Sequence, residues 1–137
     1  MASHWYVIHV YSGFEKKVAT AIREQAEQKG LAERFEEILV PTEEVVEVKR
    51  GASLIRSYGC GTCHVVPGIA DANGHVGPPL TQIGRRIYIA GLLRNSPDNL
   101  VAWLRYPQRI VPGNAMPDMG MSEADARAIA AYLDTLR

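Results

Sequence analysis

From Trp5 to Gly13 the chain reads WYVIHVYSG, a β-rich apolar run ending in a Ser-Gly turn, which predicts a buried strand. The period then changes. Phe14, Val18, Ala21 or Ile22, and Ala26 recur at helical spacing, with Ser12 and Glu15 placed to cap the start and Gly30 to stop the end. FEEILVPTEEVVEVKR follows as a second strand interrupted at Pro41, extended again from Thr42 to Val48. The order is strand, helix, strand. After residue 50 the pattern becomes helical only. GASLIRSY is a short helix pattern, succeeded by Gly- and Pro-rich loops. NSPDNLVAWLRYP has Ser96 as N-cap, Pro97 at the first helical position and Asp98 in the first turn; Leu100, Trp103 and Leu104 form its apolar face, and Pro107 prevents continuation. A last helix opens at Ser122, with Asp125 three residues on, and carries the stripe Ala126, Ile129, Ala130 and Leu133.

Composition turns this change of pattern into a boundary. The 137 residues carry no net charge, yet residues 1–50 hold all four Lys with three Arg against nine Glu, a net −2. Residues 51–137 hold eight Arg and no Lys against five Asp and one Glu, a net +2. Ten of twelve Gly, seven of eight Pro and both Cys also follow residue 50. Two pieces of different origin meet near Arg50-Gly51. Neither has the basic excess of a dedicated nucleic-acid binder, so no direct nucleic-acid contact is expected. No apolar run approaches the ~18–20 residues of a membrane span. The start, MASHWYVIHVYSGFEKK, has no basic stretch leading into an apolar one, so it does not read as a signal peptide, and the chain as written is expected in the cytoplasm.

The chemistry concentrates at CGTCH, residues 60–64. Cys-x-x-Cys-His is the attachment signal of a c-type haem. On a helical turn, residues i, i+3 and i+4 share a face. Cys60 and Cys63 can therefore bond one haem edge while His64 turns Nε2 to the iron. A thioredoxin-like dithiol or half a zinc site contains the same Cys pair. A structural zinc site usually needs four ligands, however, and beyond two Cys the chain offers only the scattered His4, His9 and His75. The helix pattern before the pair and the Gly/Pro loops after it also differ from the strand-to-helix junction of a dithiol oxidoreductase.

Residues 51–137 resemble a small bacterial class I cytochrome c, on GASLIRSYGCGTCH, GPPL (77–80), AMP (115–117) and SEADARAIAAYLDTL. The resemblance implies an all-α fold in which the last helix crosses the first. Ile55 and Tyr132 are then expected at the crossing, with Ala52 allowing close approach. It implies that the Pro78 carbonyl accepts the His64 Nδ1–H, and that Leu80 belongs to the haem pocket. The axial thioether comes from Met116, because Met-Pro is the family's arrangement; Met119 is its rival and Met121 the third candidate. A thioether opposite an imidazole raises the iron potential. Trp103 packs on the haem or in the core, and Arg85, Arg86 and Arg109 are candidates for the propionates. Tyr88 and Tyr106 have no assigned role, and His75 reads as a surface loop residue.

Residues 4–51 resemble the start of the N-terminal domain of the NusG transcription elongation factors, on WYVIHVYSGFEKKVATAIREQ and ILVPTEEVVEVKRG. That domain continues with further strands, a second helix and a separate barrel, which do not follow Gly51 here. The resemblance therefore implies a truncated piece, with RNA polymerase as its partner.

The reading is a mixed chimera or fusion. An incomplete α/β strand-helix-strand fragment (1–50) precedes an all-α mono-haem cytochrome c domain (51–137). The expected function is one-electron transport through haem c iron with no enzymatic substrate chemistry, in exchange with redox proteins such as a respiratory oxidase or cytochrome complex. The alternative is a transcription elongation factor fragment. The cytochrome module implies a periplasmic or other extracytoplasmic setting, at odds with the cytoplasmic start.

Overall fold

A computed structural model describes residues 2–11, 13–40 and 43–137. The chain divides into two compact units, residues 1–42 and 43–137.

In the first unit the expected helix forms as α1, Glu15–Gln28. Ala19 and Ala26 are buried and Val18 and Ile22 half-buried, while Phe14 and Ala21 of the expected stripe are exposed. Gly30 ends it, with the Leu31 N–H donating to the Ala26 carbonyl at 2.7 Å. The expected Ser12 cap, the break at Pro41 and the resumption of the second strand at Thr42 lie outside the described residues. The flanking strands are the first correction. No strand occurs among the described residues of this unit, and Trp5, Tyr6, Val7 and Ile8 are exposed. A strand is stabilised by neighbours that take its backbone N–H and C=O groups, and fifty residues do not supply them.

The second unit begins with α2, Glu43–Ser57. Residues 43–48, expected as strand, are helical, the second correction. Val45, Val48, Ala52 and Ile55 fall on one helical stripe, of which Ile55 is fully buried. Strand propensity is the weaker influence here, because a packed amphipathic face decides the conformation of valine-rich segments. Glu43 and Glu44 also favour a helix start in this place. The helix runs straight through the compositional boundary at residues 50 and 51.

After a 3₁₀ turn at Cys60–Thr62 and a long loop comes a second 3₁₀ turn, Ile83–Arg85, then a short antiparallel pair, β1 (Tyr88–Ile89) and β2 (Leu93–Arg94). This hairpin corrects the all-α expectation; two residues per strand are too few to leave an alternating pattern. α3 (Pro97–Arg105) starts as predicted, with Ser96 Oγ accepting from the Asn99 N–H at 3.2 Å. Pro107 opens a separate short helix, α4 (Pro107–Ile110). α5 (Glu123–Asp134) is capped by Ser122 Oγ, which accepts from the Asp125 N–H at 3.1 Å, and its predicted stripe is buried throughout.

α5 packs on both α2 and α3. At the α2 crossing Gly51, rather than the expected Ala52, provides the close approach: a Cβ there would stand 2.7 Å from the Ala128 carbonyl carbon and 3.0 Å from Tyr132 Cβ. Arg50 pairs with Asp125 across the same crossing and also reaches the Ala124 carbonyl at 3.3 Å. Ile55, Val66, Leu80, Ile83, Leu100, Leu104, Ile129 and Leu133 belong to one continuous core.

Candidate functional site

The end of α2 delivers the Cys-x-x-Cys-His segment. Gly59 turns the chain through a left-handed conformation (φ 72°), and the Cys63 and His64 N–H groups both donate back to the Cys60 carbonyl, at 3.2 and 3.0 Å. Cys60, Cys63 and His64 thus share a single helical turn. Both cysteines are free thiols and half-buried. Cys60 rests against the core, and this burial pushes its thiol above the ordinary pKa.

A loop from Asn73 to Leu80 is strapped across this turn. The Gly74 N–H donates to Gly61 O at 3.0 Å, Gly77 N–H to Cys63 O at 2.7 Å and Leu80 N–H to Val65 O at 2.9 Å. The straps bring the Pro78 carbonyl to 2.7 Å from His64 Nδ1. A carbonyl only accepts, so Nδ1 carries the proton and Nε2 keeps its lone pair. Gly77 lies flat against the imidazole: a Cβ would stand 2.8 Å from Nδ1 and 2.9 Å from Nε2. This contact has no signature in the sequence beyond the Gly-Pro-Pro string itself.

The other expected residues divide clearly. Leu80 is buried, while Trp103 and Met116 are half-buried and packed on the core. Met121 is a core residue at 4% exposure, and Met119 is 38% exposed. Arg85, Arg86 and Arg109 are all exposed; Arg86 donates to the Pro79 carbonyl at 2.5 Å, and Arg109 stacks 4.7 Å from the Tyr106 ring centre. Tyr88 faces Arg94 in the hairpin. His75 is exposed, as expected. Gln108 and Asn114, which sequence reasoning passed over, bind the loop that carries Met116; two amides flanking a Pro-Gly turn are the only trace they leave in the sequence.

Two family matches cover the chain. Residues 48–137 match the family described as cytochrome c, and residues 3–69 match the transcription termination factor NusG family. Cytochrome c oxidase subunit 2 of Alkalihalophilus pseudofirmus is 40% identical over 102 residues, which is 74% of this chain and 28% of that protein. The transcription termination/antitermination protein NusG of Pseudomonas aeruginosa is 55% identical over 51 residues, 37% of this chain and 29% of that protein. Its counterpart in Xylella fastidiosa is 53% identical over 47 residues, 34% and 25% of the respective chains. The chain spans less than a third of the length of each of these relatives. A NusG-like segment is joined to a cytochrome c segment, and the two family matches overlap over residues 48–69.

Proposed function

We propose that this chain, which belongs to the cytochrome c family over residues 48–137, carries single electrons through a covalently held c-type haem. The observation that carries the reading is the His64 Nδ1 to Pro78 carbonyl hydrogen bond beside two free thiols on the same turn. The residues present fit the group. Gly77 leaves the space beside the imidazole that any side chain would fill, and Leu80 in the core and Trp103 and Met116 packed against it are apolar groups suited to a porphyrin.

In this reading Cys60 and Cys63 supply the two tethering sulfurs. His64 would present Nε2 to the metal, while Pro78 holds the opposite N–H and fixes the tautomer. Met116 would offer its thioether to the iron. Leu80 and Trp103 exclude water from the pocket and keep its dielectric low. A haem held by these residues would supply one-electron chemistry at its iron. Nothing in this scheme transforms a substrate, so the protein acts as a carrier and not as an enzyme. The relative named cytochrome c oxidase subunit 2 supports a respiratory oxidase as the class of redox partner. The module would then work outside the cytoplasm, with no span of its own: no described helix is long and apolar enough to cross a membrane. We retain residues 50 and 51 as the join between the two ancestral pieces.

A visible spectrum tests the reading. Mature protein is expected to show the sharp bands of a low-spin c-type haem, and Cys60→Ala/Cys63→Ala to lose the colour on denaturation; a colour that survives in the double variant would contradict it. A second reading, docking of the first segment on RNA polymerase, is favoured by the NusG match. It requires polymerase capture by the full chain that persists in Cys60→Ala/Cys63→Ala.

A further inference from the structure

Met116 lies in the loop between α4 and α5, where its position owes little to backbone pairing. Among the described residues, no N–H from Ala115 to Met121 donates to a backbone carbonyl. Two side-chain amides hold the loop instead. Gln108 Nε2 donates to Asn114 O at 2.7 Å and to Met116 O at 2.8 Å, and its Oε1 accepts from the Gly113 N–H at 3.0 Å. Asn114 Nδ2 donates to Pro107 O at 3.0 Å and Val111 O at 2.6 Å, and its Oδ1 accepts from the Met116 N–H at 2.7 Å. The Gln108 N–H itself donates to Asp118 Oδ1 at 3.1 Å, on the far side of Met116.

The chemistry of these contacts is fully matched. Each NH₂ faces only carbonyls and each amide oxygen only an N–H, so the swapped orientation of either amide would set like against like. Both backbone polar groups of Met116 are taken, one by each amide. The Cα that carries the thioether is thereby pinned from two sides.

We infer that Gln108 and Asn114 are positioning residues, which act through Met116 to keep its sulfur at the metal; this rests on the electron-carrier reading above. A thioether is a neutral, weak ligand, and its occupancy depends on how little freedom the loop has when it lets go. The clamp lowers the fraction of molecules in which the sulfur is off and an outside ligand can enter. The apparent affinity for such a competitor scales with that open fraction.

The test is a titration of the oxidised holoprotein with imidazole, followed by loss of the weak long-wavelength band of a methionine–ferric iron bond. Gln108→Met keeps the bulk of the side chain and removes three hydrogen bonds. It is expected to bind imidazole about fivefold to thirtyfold more tightly than wild type, the factor that one or two net hydrogen bonds give. Gln108→Glu, which turns an acceptor toward two carbonyls, is expected to shift in the same direction. Ile129→Val, a core change that removes none of the loop's hydrogen bonds, should lower the melting temperature yet leave imidazole affinity within about twofold.

Affinities within about twofold of wild type for both Gln108 variants would overturn the clamp. Should neither variant accumulate as holoprotein, hydrogen exchange on the wild type decides. The Gly113 and Met116 amides should exchange more slowly than those of Ala115 and Met119, which donate to no protein acceptor among the described residues. Equal rates would overturn it. A wild type without the long-wavelength band contradicts the electron-carrier reading itself; a wild type with the band and indifferent variants contradicts only the clamp.

Discussion

At Gly77 one missing methyl sets how closely the loop approaches the imidazole. Gly77→Ala would force the His64 ring or the strap to move, since its Cβ would lie 2.8 Å from Nδ1. Overpacking of this kind costs about 1–3 kcal/mol, and a urea titration of the holoprotein should show that loss together with a weakened low-spin spectrum. Tyr58 gives a pH signature. Its hydroxyl donates to Asp125 Oδ2 at 2.7 Å, and this hydrogen bond first, then partial burial, raises the phenol above its ordinary pKa. A group raised on folding stabilises the fold below its unfolded pKa of about 10, and that contribution fades as pH climbs through the folded value. Stability curves of wild type and Tyr58→Phe should therefore differ at neutral pH and converge in strong alkali; a constant gap would contradict the assignment. At this scale the sequence was most legible where chemistry needs a particular residue, as at Cys60, Cys63 and His64. It was mute where a residue works by hydrogen-bonding backbone, as Gln108 does, because an amide in a loop looks like any other polar surface residue.

Among the elements, α2 is where the sequence misled and the packing explains why. Val45, Val46 and Val48 read as strand because β-branched residues favour extended backbone, but they open a helix that Arg50, Gly51 and Tyr58 tie to α5. The partner is remote in sequence, so local pattern could not reveal it. α3 and α5 were legible because each opens on a capping serine and carries a 3.6-residue stripe, and α1 because of its helical spacing and the glycine that ends it. The hairpin at Tyr88–Arg94 was not, since four paired residues give too short a period. The α2–α5 crossing supplies a graded prediction. Gly51→Val places side-chain atoms where the Ala128 carbonyl already sits and should cost about 1–3 kcal/mol or more. Arg50→Ala removes a partly exposed ion pair with Asp125 and should cost only about 0.2–1 kcal/mol. Thermal melts of the two variants check the order, and a larger loss in Arg50→Ala would contradict the packing argument.

For the molecule as a whole, the join between two ancestries and the division into compact units do not coincide. Among the described residues, the continuous core draws on residues from Leu54 to Leu136, while residues 43–50, NusG-like in sequence, form the first two turns of the helix that packs on α5. Removing residues 2–42 is therefore expected to leave the melting temperature of the remainder unchanged. Removing residues 2–50 should lower it, with a loss of roughly 1–3 kcal/mol for a packed helix terminus and its Arg50 ties. The central claim is that Cys60, Cys63 and His64, gathered on one turn and braced by Pro78, anchor an iron porphyrin for electron transfer. Intact mass and the visible spectrum of one sample, matured in cells equipped for haem attachment, test it most directly. The account predicts the polypeptide mass plus one haem, and low-spin bands whose colour stays with the chain on denaturation. A folded product of bare polypeptide mass and no visible absorption would contradict it.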